Sequence, residues 1–78
     1  MAKVTIYSTP TCVYCKMAKE FFKENNVPYE EIDVAADAKA RNEMFEKSRQ
    51  MGVPVIDIDG EITIGFDKGT LKKALGIK

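Results

Sequence analysis

Two residues separate the cysteines of this 78-residue chain, Cys12 and Cys15. Two thiols at this spacing can exchange with an external disulfide, because one attacks as a thiolate and the other displaces the product. A β-branched and aromatic run precedes the pair and a helical pattern follows it, which predicts a strand-to-helix junction. Cys12 comes before the first helical turn and is predicted to be the exposed nucleophile. Cys15 lies one turn into the helix, on its apolar face, and is predicted to be the buried resolving thiol.

The start of a helix suits a reactive cysteine. Its first N–H groups lack backbone partners, and the helix dipole places about half a positive charge there. That environment stabilises a thiolate relative to a thiol. Lys16 adds a cation next to the cysteine pair. We therefore expect Cys12 to ionise more readily than a free cysteine does.

Other functions of two cysteines fit less well. A structural zinc ion takes four ligands, and this chain offers two cysteines and no histidine, which leaves only a dimer pooling four thiolates. A permanent disulfide between Cys12 and Cys15 would close a very short loop and would stabilise the fold little. Two inert core cysteines are disfavoured because Cys12 follows a loop and does not continue an apolar face.

The composition predicts one domain spanning residues 1–78. Hydrophobic residues make up 45% of the chain, and 12 basic residues balance 12 acidic ones. The missing basic excess argues against nucleic acid as a partner, and no apolar run approaches the roughly 20 residues that span a membrane. The first three residues lead directly into a strand pattern, so no signal peptide and a cytoplasmic location are expected. In a reducing compartment, paired cysteines are more often catalytic than structural.

The pattern predicts an α/β protein with element order βαβαββα. Strands are predicted at 4–7, 29–34, 53–58 and 61–64, and helices at about 15–25, at 37–49 and from Asp67 or Thr70 onward. A helix joins the first two strands, so these should be parallel with a right-handed crossover. Asp59-Gly60 marks a type I′ turn between the last two strands, which makes them antiparallel. The result is a mixed four-stranded sheet with three flanking helices.

Helical periodicity predicts which face of each helix is buried. In the first helix the apolar face comprises Cys15, Ala18, Phe21 and Phe22, and the polar face comprises Lys16, Lys19, Glu20, Lys23 and Glu24. In the second helix, capped by Asp37, the predicted stripe comprises Arg41, Met44, Phe45 and Ser48. In the last helix it comprises Leu71, Ala74 and Leu75. The segment 25–28, with two asparagines and a proline, is predicted to end the first helix.

Three segments together resemble a known family. Residues 7–16, Tyr-Ser-Thr-Pro-Thr-Cys-Val-Tyr-Cys-Lys, resemble the glutaredoxin active-site segment, and the order of strands is similar to that of the thioredoxin fold. Residues 51–54 resemble the family's loop before a cis-proline. Residues 64–67 fall where glutaredoxins carry a glycine-rich turn. The resemblance covers essentially the whole chain.

The resemblance implies roles for individual residues. Cys12 would attack the substrate disulfide and Cys15 would resolve the mixed disulfide. A cis bond before Pro54 would turn the backbone of Val53 toward a bound peptide such as glutathione; the alternative is a proline that merely begins an edge strand. Tyr14 would offer an aromatic wall to the substrate, or would be an ordinary surface residue.

The remaining substrate-binding residues implied by the resemblance are Thr11, Lys16, Phe66 and Asp67. Asp67 would meet the ammonium group of the γ-glutamyl end of glutathione. Its alternative role is a plain helix N-cap. No metal or organic cofactor is implied, and glutathione is implied as reductant or substrate.

The chain departs from the usual glutaredoxin pattern at three places. Val13 replaces the usual proline, Gly52 replaces the usual threonine, and a single Gly65 is followed by Phe66. The Gly-Phe pattern resembles glutaredoxin-like redoxins that thioredoxin reductase reduces and that serve ribonucleotide reductase. The implied partners are therefore disulfide-containing proteins with glutathione or thioredoxin reductase as electron donor, acting on a monomer.

The alternative function is a dimer that carries an iron–sulfur cluster through Cys12 and external glutathione. Formation of a disulfide with Cys15 would compete with cluster binding. A colourless protein after anaerobic purification or reconstitution would exclude this alternative.

Overall fold

The computed structural model describes residues 3–50 and 52–76, and within them it contains seven elements in the predicted order. The strands are β1 (Val4–Ser8), β2 (Glu30–Asp33), β3 (Val55–Ile58) and β4 (Glu61–Ile64). The helices are α1 (Val13–Glu24), α2 (Ala38–Ser48) and α3 (Lys68–Leu75). The first helix begins two residues earlier than the periodicity predicts, and β3 begins after Pro54, not before it. Met51, in the predicted proline loop, lies outside the described residues.

The four strands form one mixed sheet in the order β2-β1-β3-β4. β1 runs parallel to β2 and antiparallel to β3, and β3 is antiparallel to β4. β1 and β4 therefore end at the edge of the sheet where β3 begins. The pairing of Tyr7 with Val55 fixes that register. Consequently the loop that carries Cys12, the residues before Pro54 and the turn after β4 all lie at one end of the sheet.

Helices cover both faces of the sheet. On the face covered by α1 and α3, the buried cluster comprises Val4, Ile6, Ala18, Phe21, Phe22, Ile56, Ile58 and Leu71. On the other face, beneath α2, it comprises Tyr7, Val34, Ala40, Met44 and Val55. No helix in the described part of the chain is long and apolar enough to cross a membrane.

The first helix buries the face that the periodicity predicts. Its buried residues are Cys15, Ala18, Phe21 and Phe22. Asn26 ends the helix in the left-handed conformation, with φ of 55°. Its N–H donates to the Lys23 carbonyl at 3.2 Å, and the Val27 N–H donates to the Phe22 carbonyl at 2.8 Å. These two bonds form a Schellman motif, so the asparagine stop is confirmed.

The predicted stripe of α2 is confirmed at Met44, which is buried, and is wrong at Arg41 and Phe45. Asp37 does cap the helix, because its carboxylate accepts the Ala40 N–H at 3.1 Å. The helical residues that are buried, however, are Ala40 and Met44, whereas Arg41 is exposed and Phe45 is 42% exposed. Ala40 and Met44 belong to the buried cluster between α2 and the sheet, which leaves Phe45 and Arg41 toward solvent. Ser48, also in the predicted stripe, is half-buried and donates to the Met44 carbonyl at 2.7 Å.

The hairpin between β3 and β4 has the predicted turn. Asp59 and Gly60 both have positive φ, 52° and 93°, as a type I′ turn requires. The Gly60 N–H donates to the Asp57 carboxylate at 2.8 Å. The Asp-Gly prediction is therefore confirmed.

Candidate active site

Cys12 is the N-cap residue of α1. Its backbone is extended, with φ of −83° and ψ of 111°, and its Sγ accepts the N–H of Cys15 at 3.1 Å. A sulfur in this position replaces the oxygen of an ordinary N-cap side chain, and it receives an N–H that the helix leaves unpaired. The first turn contains no acidic residue that would compete for the positive end of the helix. The Cys12 sulfur is therefore held at the N-terminal end of the helix, where it faces a backbone N–H donor.

Cys15 lies in a contrasting environment. Its side chain is 0% exposed, whereas Cys12 is partly exposed, and both are free thiols. Burial, together with a hydrogen bond with the Cys12 side chain, raises the pKa of Cys15 to about 12, although a hydrogen bond with the Thr9 backbone acts in the opposite direction. Cys15 is therefore a neutral thiol at neutral pH. The two cysteines are therefore chemically distinct, because Cys12 is partly exposed to solvent and Cys15 is buried.

This asymmetry predicts selective alkylation. Under native conditions at neutral pH, iodoacetamide is expected to modify Cys12 and to spare Cys15, because alkylation needs an accessible thiolate. Intact-mass and peptide mass spectrometry should show one adduct on the folded chain and two after denaturation. As a control, Cys12→Ser should remain unmodified while folded. Equal labelling rates at the two positions in the folded chain would contradict the assignment.

A groove of about 390 Å³ opens beside Cys12. The loop before α1 and one side of α1 form much of its lining, and Tyr29 and Glu31 contribute from the region of β2. Of the predicted substrate-binding residues, Thr11 and Lys16 line this groove together with Cys12. The structure thus brings these two residues to the reactive sulfur.

The proline loop lies at the same end of the sheet. The Val53–Pro54 peptide bond is cis, as the resemblance implies. Pro54 is buried, and Val53 is half-buried against the cluster beneath α2. The Pro54 carbonyl accepts the N–H of Gly65 at 2.9 Å, which ties the loop to the turn after β4. Gly65 has φ of +79°, a conformation that favours glycine.

The other three predicted residues lie outside the groove. Tyr14 is exposed on the first turn of α1. The Phe66 ring packs edge-on against Phe21, with centroids 6.1 Å apart, and so is directed toward the core. Asp67 caps α3, accepting the Thr70 N–H at 3.3 Å. The N-cap alternative therefore describes its place in the fold, and its role toward a ligand stays a prediction.

Sequence reasoning missed a polar network beneath the cysteines. The Lys19 ammonium lies 2.7 Å from the Glu31 carboxylate, which also accepts the buried Ser8 hydroxyl at 3.0 Å. The hydrogen bond from Lys19 lowers the pKa of Glu31, and the same bond raises the pKa of Lys19. The sequence does show that Lys19 follows Cys15 by four residues, and this spacing indicates that the two positions are neighbours on a helix. The partner on β2 could not be found without the strand pairing.

A pair of cysteines at the start of the first helix of a thioredoxin fold defines a class of thiol–disulfide redox proteins. The protein-family model described as Glutaredoxin matches residues 4–63 of this chain. The chain therefore belongs to the glutaredoxin family.

Individual relatives agree with this placement. The chain is 49% identical over 72 residues to an uncharacterized glutaredoxin-like 8.6 kDa protein in the rubredoxin operon of Clostridium pasteurianum, covering 92% of this chain and 96% of that one. It is 37% identical over 67 residues to glutaredoxin 3 of Escherichia coli, covering 86% and 81% respectively. Among solved structures, a mutant of the thioredoxin-like protein BC3987 matches with a TM-score of 0.92 and 42% identity over the whole of both chains.

Proposed function

We propose that this protein is a dithiol–disulfide oxidoreductase that reduces disulfides of proteins, or mixed disulfides with glutathione, through a reversible Cys12–Cys15 disulfide. The observation that carries the proposal is the Cys12 sulfur at the N-cap of α1, 3.1 Å from the Cys15 N–H, with Cys15 buried behind it. A sulfur held in this way is a nucleophile with a second thiol one helical turn away.

The first step is attack by the Cys12 thiolate on one sulfur of the substrate disulfide. A bond forms between Cys12 and that sulfur, the substrate S–S bond breaks, and the other sulfur leaves with the electron pair and takes up a proton. The helix N-terminus stabilises the attacking charge before the bond forms.

The second step is attack by Cys15 on the Cys12 sulfur of the mixed disulfide. A Cys12–Cys15 disulfide forms, and the second substrate sulfur leaves as a thiol, so the substrate gains two electrons and the enzyme loses two. An external thiol donor then returns two electrons and two protons to the pair. The cycle needs no bound metal or organic cofactor.

The surface around Cys12 supports a protein substrate. Val13, Tyr14 and Met17 are exposed apolar side chains on the first turns of α1. Exposed apolar groups close to a reactive residue suit contact with a partner protein. Thr11 and Lys16 line the groove together with Val13 and offer polar contacts. The Val53 backbone would pair with an extended segment of the substrate, as strand addition does elsewhere.

We infer that the electron donor is glutathione or thioredoxin reductase, and that the protein works in the cytoplasm as a monomer. Redox potentials of the two kinds of system differ by roughly 40–70 mV, which is about 2–3 kcal/mol for two electrons. Local dipoles around a cysteine pair can supply this difference, so the fold is compatible with either donor.

A coupled NADPH-oxidation assay tests the proposal and identifies the donor. The protein is mixed with insulin or an alkyl disulfide and with one of two electron sources: glutathione plus glutathione reductase, or thioredoxin reductase alone. We expect turnover that depends on Cys12 with at least one source. The faster source identifies the donor. Absence of turnover above the protein-free rate with both sources would overturn the proposal.

A further inference from the structure

Cys15 poses a chemical problem for the proposed cycle. It must attack as a thiolate, yet it is 0% exposed and its pKa is raised to about 12 by burial and by the hydrogen bond with Cys12. At neutral pH a thiol of this kind is almost entirely protonated. The surroundings of Cys15 should therefore contain a group that favours its ionisation during the resolving step.

Lys19 is placed to act as that group. It lies four residues after Cys15 on α1, which is one helical turn, so the two positions are adjacent where the polar face meets the apolar face. The side chain of Lys19 is only 26% exposed, and its ammonium is 2.7 Å from the Glu31 carboxylate on β2. Glu31 in turn accepts the hydroxyl of Ser8, which is buried at the end of β1. Three elements thus hold one cation at a fixed position behind the cysteine pair.

The electrostatic balance around Cys15 changes during the cycle. Before attack, the Cys12 side chain disfavours a Cys15 thiolate, both through their hydrogen bond and through charge. Once Cys12 is bonded to a substrate sulfur, it carries no charge. Lys19, and the hydrogen bond with the Thr9 backbone, still favour the Cys15 thiolate. After the first step the Cys12 charge therefore no longer opposes ionisation of Cys15, whereas burial still does, and Lys19 acts against that burial.

We propose that the Lys19 ammonium, anchored by Glu31, accelerates the resolving step by stabilising the Cys15 thiolate that attacks the mixed disulfide. This inference rests on the proposed function, because it concerns the second step of that cycle. In that step Cys15 loses its proton, the Cys12–Cys15 bond forms, and the bond from Cys12 to the substrate sulfur breaks. The departing sulfur keeps the electron pair and takes up a proton.

The charged groups that influence this network come from α1 and from the region of β2. The charge of Cys12, the N-cap of α1, raises the pKa of Cys15, and the charge of Lys19 lowers it. From the region of β2, Glu31 and Tyr29 raise the pKa of Lys19. Lys23, one turn beyond Lys19, lowers the pKa of Glu31. Lys39 is exposed on α2, which covers the opposite face of the sheet from α1, so it serves as a control for the loss of one positive charge elsewhere.

An uncharged disulfide, dithiodipyridine, separates the two steps because each one releases a molecule of thiopyridone. In a stopped-flow experiment the reduced protein should show a first phase from Cys12 and a second phase from Cys15. Lys19→Gln is expected to slow the second phase several-fold and to slow it clearly more than the first phase, because it removes a charge that favours the Cys15 thiolate. Lys39→Gln should leave both phases within twofold of the original chain.

A rescue variant and a pH series separate electrostatics from structure. Lys19→Arg keeps the charge and the pairing with Glu31, so it should restore most of the second-phase rate. The second-phase rate of Lys19→Gln should rise with pH along a curve displaced to higher pH than that of the original chain. Urea unfolding of each variant checks the fold. If Lys19→Gln is unstable, the inference is tested on Lys19→Arg alone, whose second phase should keep most of the original rate.

Two kinds of failure can be told apart. If the second phase has the same rate and pH profile in Lys19→Gln and in the original chain, the inference about Lys19 is wrong. A second phase that Lys19→Arg fails to restore would also overturn it. If no thiopyridone is released from Cys12 at all, it is the proposed function that fails.

Discussion

Replacing Cys12 with serine is expected to abolish disulfide reduction, lowering the rate by more than about 10³-fold, because a hydroxyl at this position is not ionised and cannot act as the thiolate does. The NADPH-coupled assay measures this loss directly. Serine also accepts hydrogen bonds at helix N-caps, so Cys12→Ser should keep the cap and the fold. Unchanged unfolding behaviour would show that the lost activity comes from chemistry and not from misfolding.

Cys15→Ser is the matched variant, and its expected result is different. Cys12 should still attack, because its exposure and its place at the helix start do not need the Cys15 thiol. The mixed disulfide should then accumulate, since no internal thiol remains to release it. Intact-mass spectrometry after a short reaction should find the chain joined to one half of the substrate. Free turnover of protein disulfides by Cys15→Ser would contradict the order of attack.

Replacing Phe22 with alanine is expected to cost about 3–5 kcal/mol of unfolding free energy. Phe22 is 0% exposed, and its ring centroid lies 5.9 Å from that of Phe21 and 5.5 Å from that of Tyr29. A domain of this length has roughly 4–12 kcal/mol of stability in total, so the loss would remove a large share of it. Urea denaturation followed by circular dichroism measures the change.

The same substitution at an exposed phenylalanine serves as the control for Phe22→Ala. Phe45, on α2, is 42% exposed, so Phe45→Ala should cost about 1 kcal/mol or less. Comparable losses for the two variants would show that the buried clusters are not as described. Because Phe22 lies on the helix that carries both cysteines, Phe22→Ala should also accelerate alkylation of Cys15, and Phe45→Ala should not.

The elements and the reactive pair follow from short stretches of sequence. Asp59-Gly60 specifies its turn because both residues tolerate positive φ, and Asp37 specifies a helix start because its carboxylate reaches an unpaired N–H. The Cys12–Cys15 pair likewise depends on residues within one helical turn. Such features are governed by neighbours in the chain, so the sequence alone predicts them. The same is true of the resemblance that places the chain among glutaredoxins.

Features that depend on residues distant in the sequence were settled only by the tertiary structure. The buried face of α2 was mispredicted in part because Ala40 carries a weak apolar signal, and the sheet beneath it selects the face. Phe66 turns toward Phe21, which no local pattern indicates. The pairing of Lys19 with Glu31 requires α1 and β2 to be adjacent.

The sequence by itself therefore determined which cysteine lies at a helix start, because that is a local arrangement. The tertiary structure decided which charged groups lie near the second cysteine, because the Lys19–Glu31 pair comes from packing one helix against two strands. Local backbone geometry can be deduced from neighbouring residues, whereas burial and long-range ion pairs depend on the whole assembled sheet.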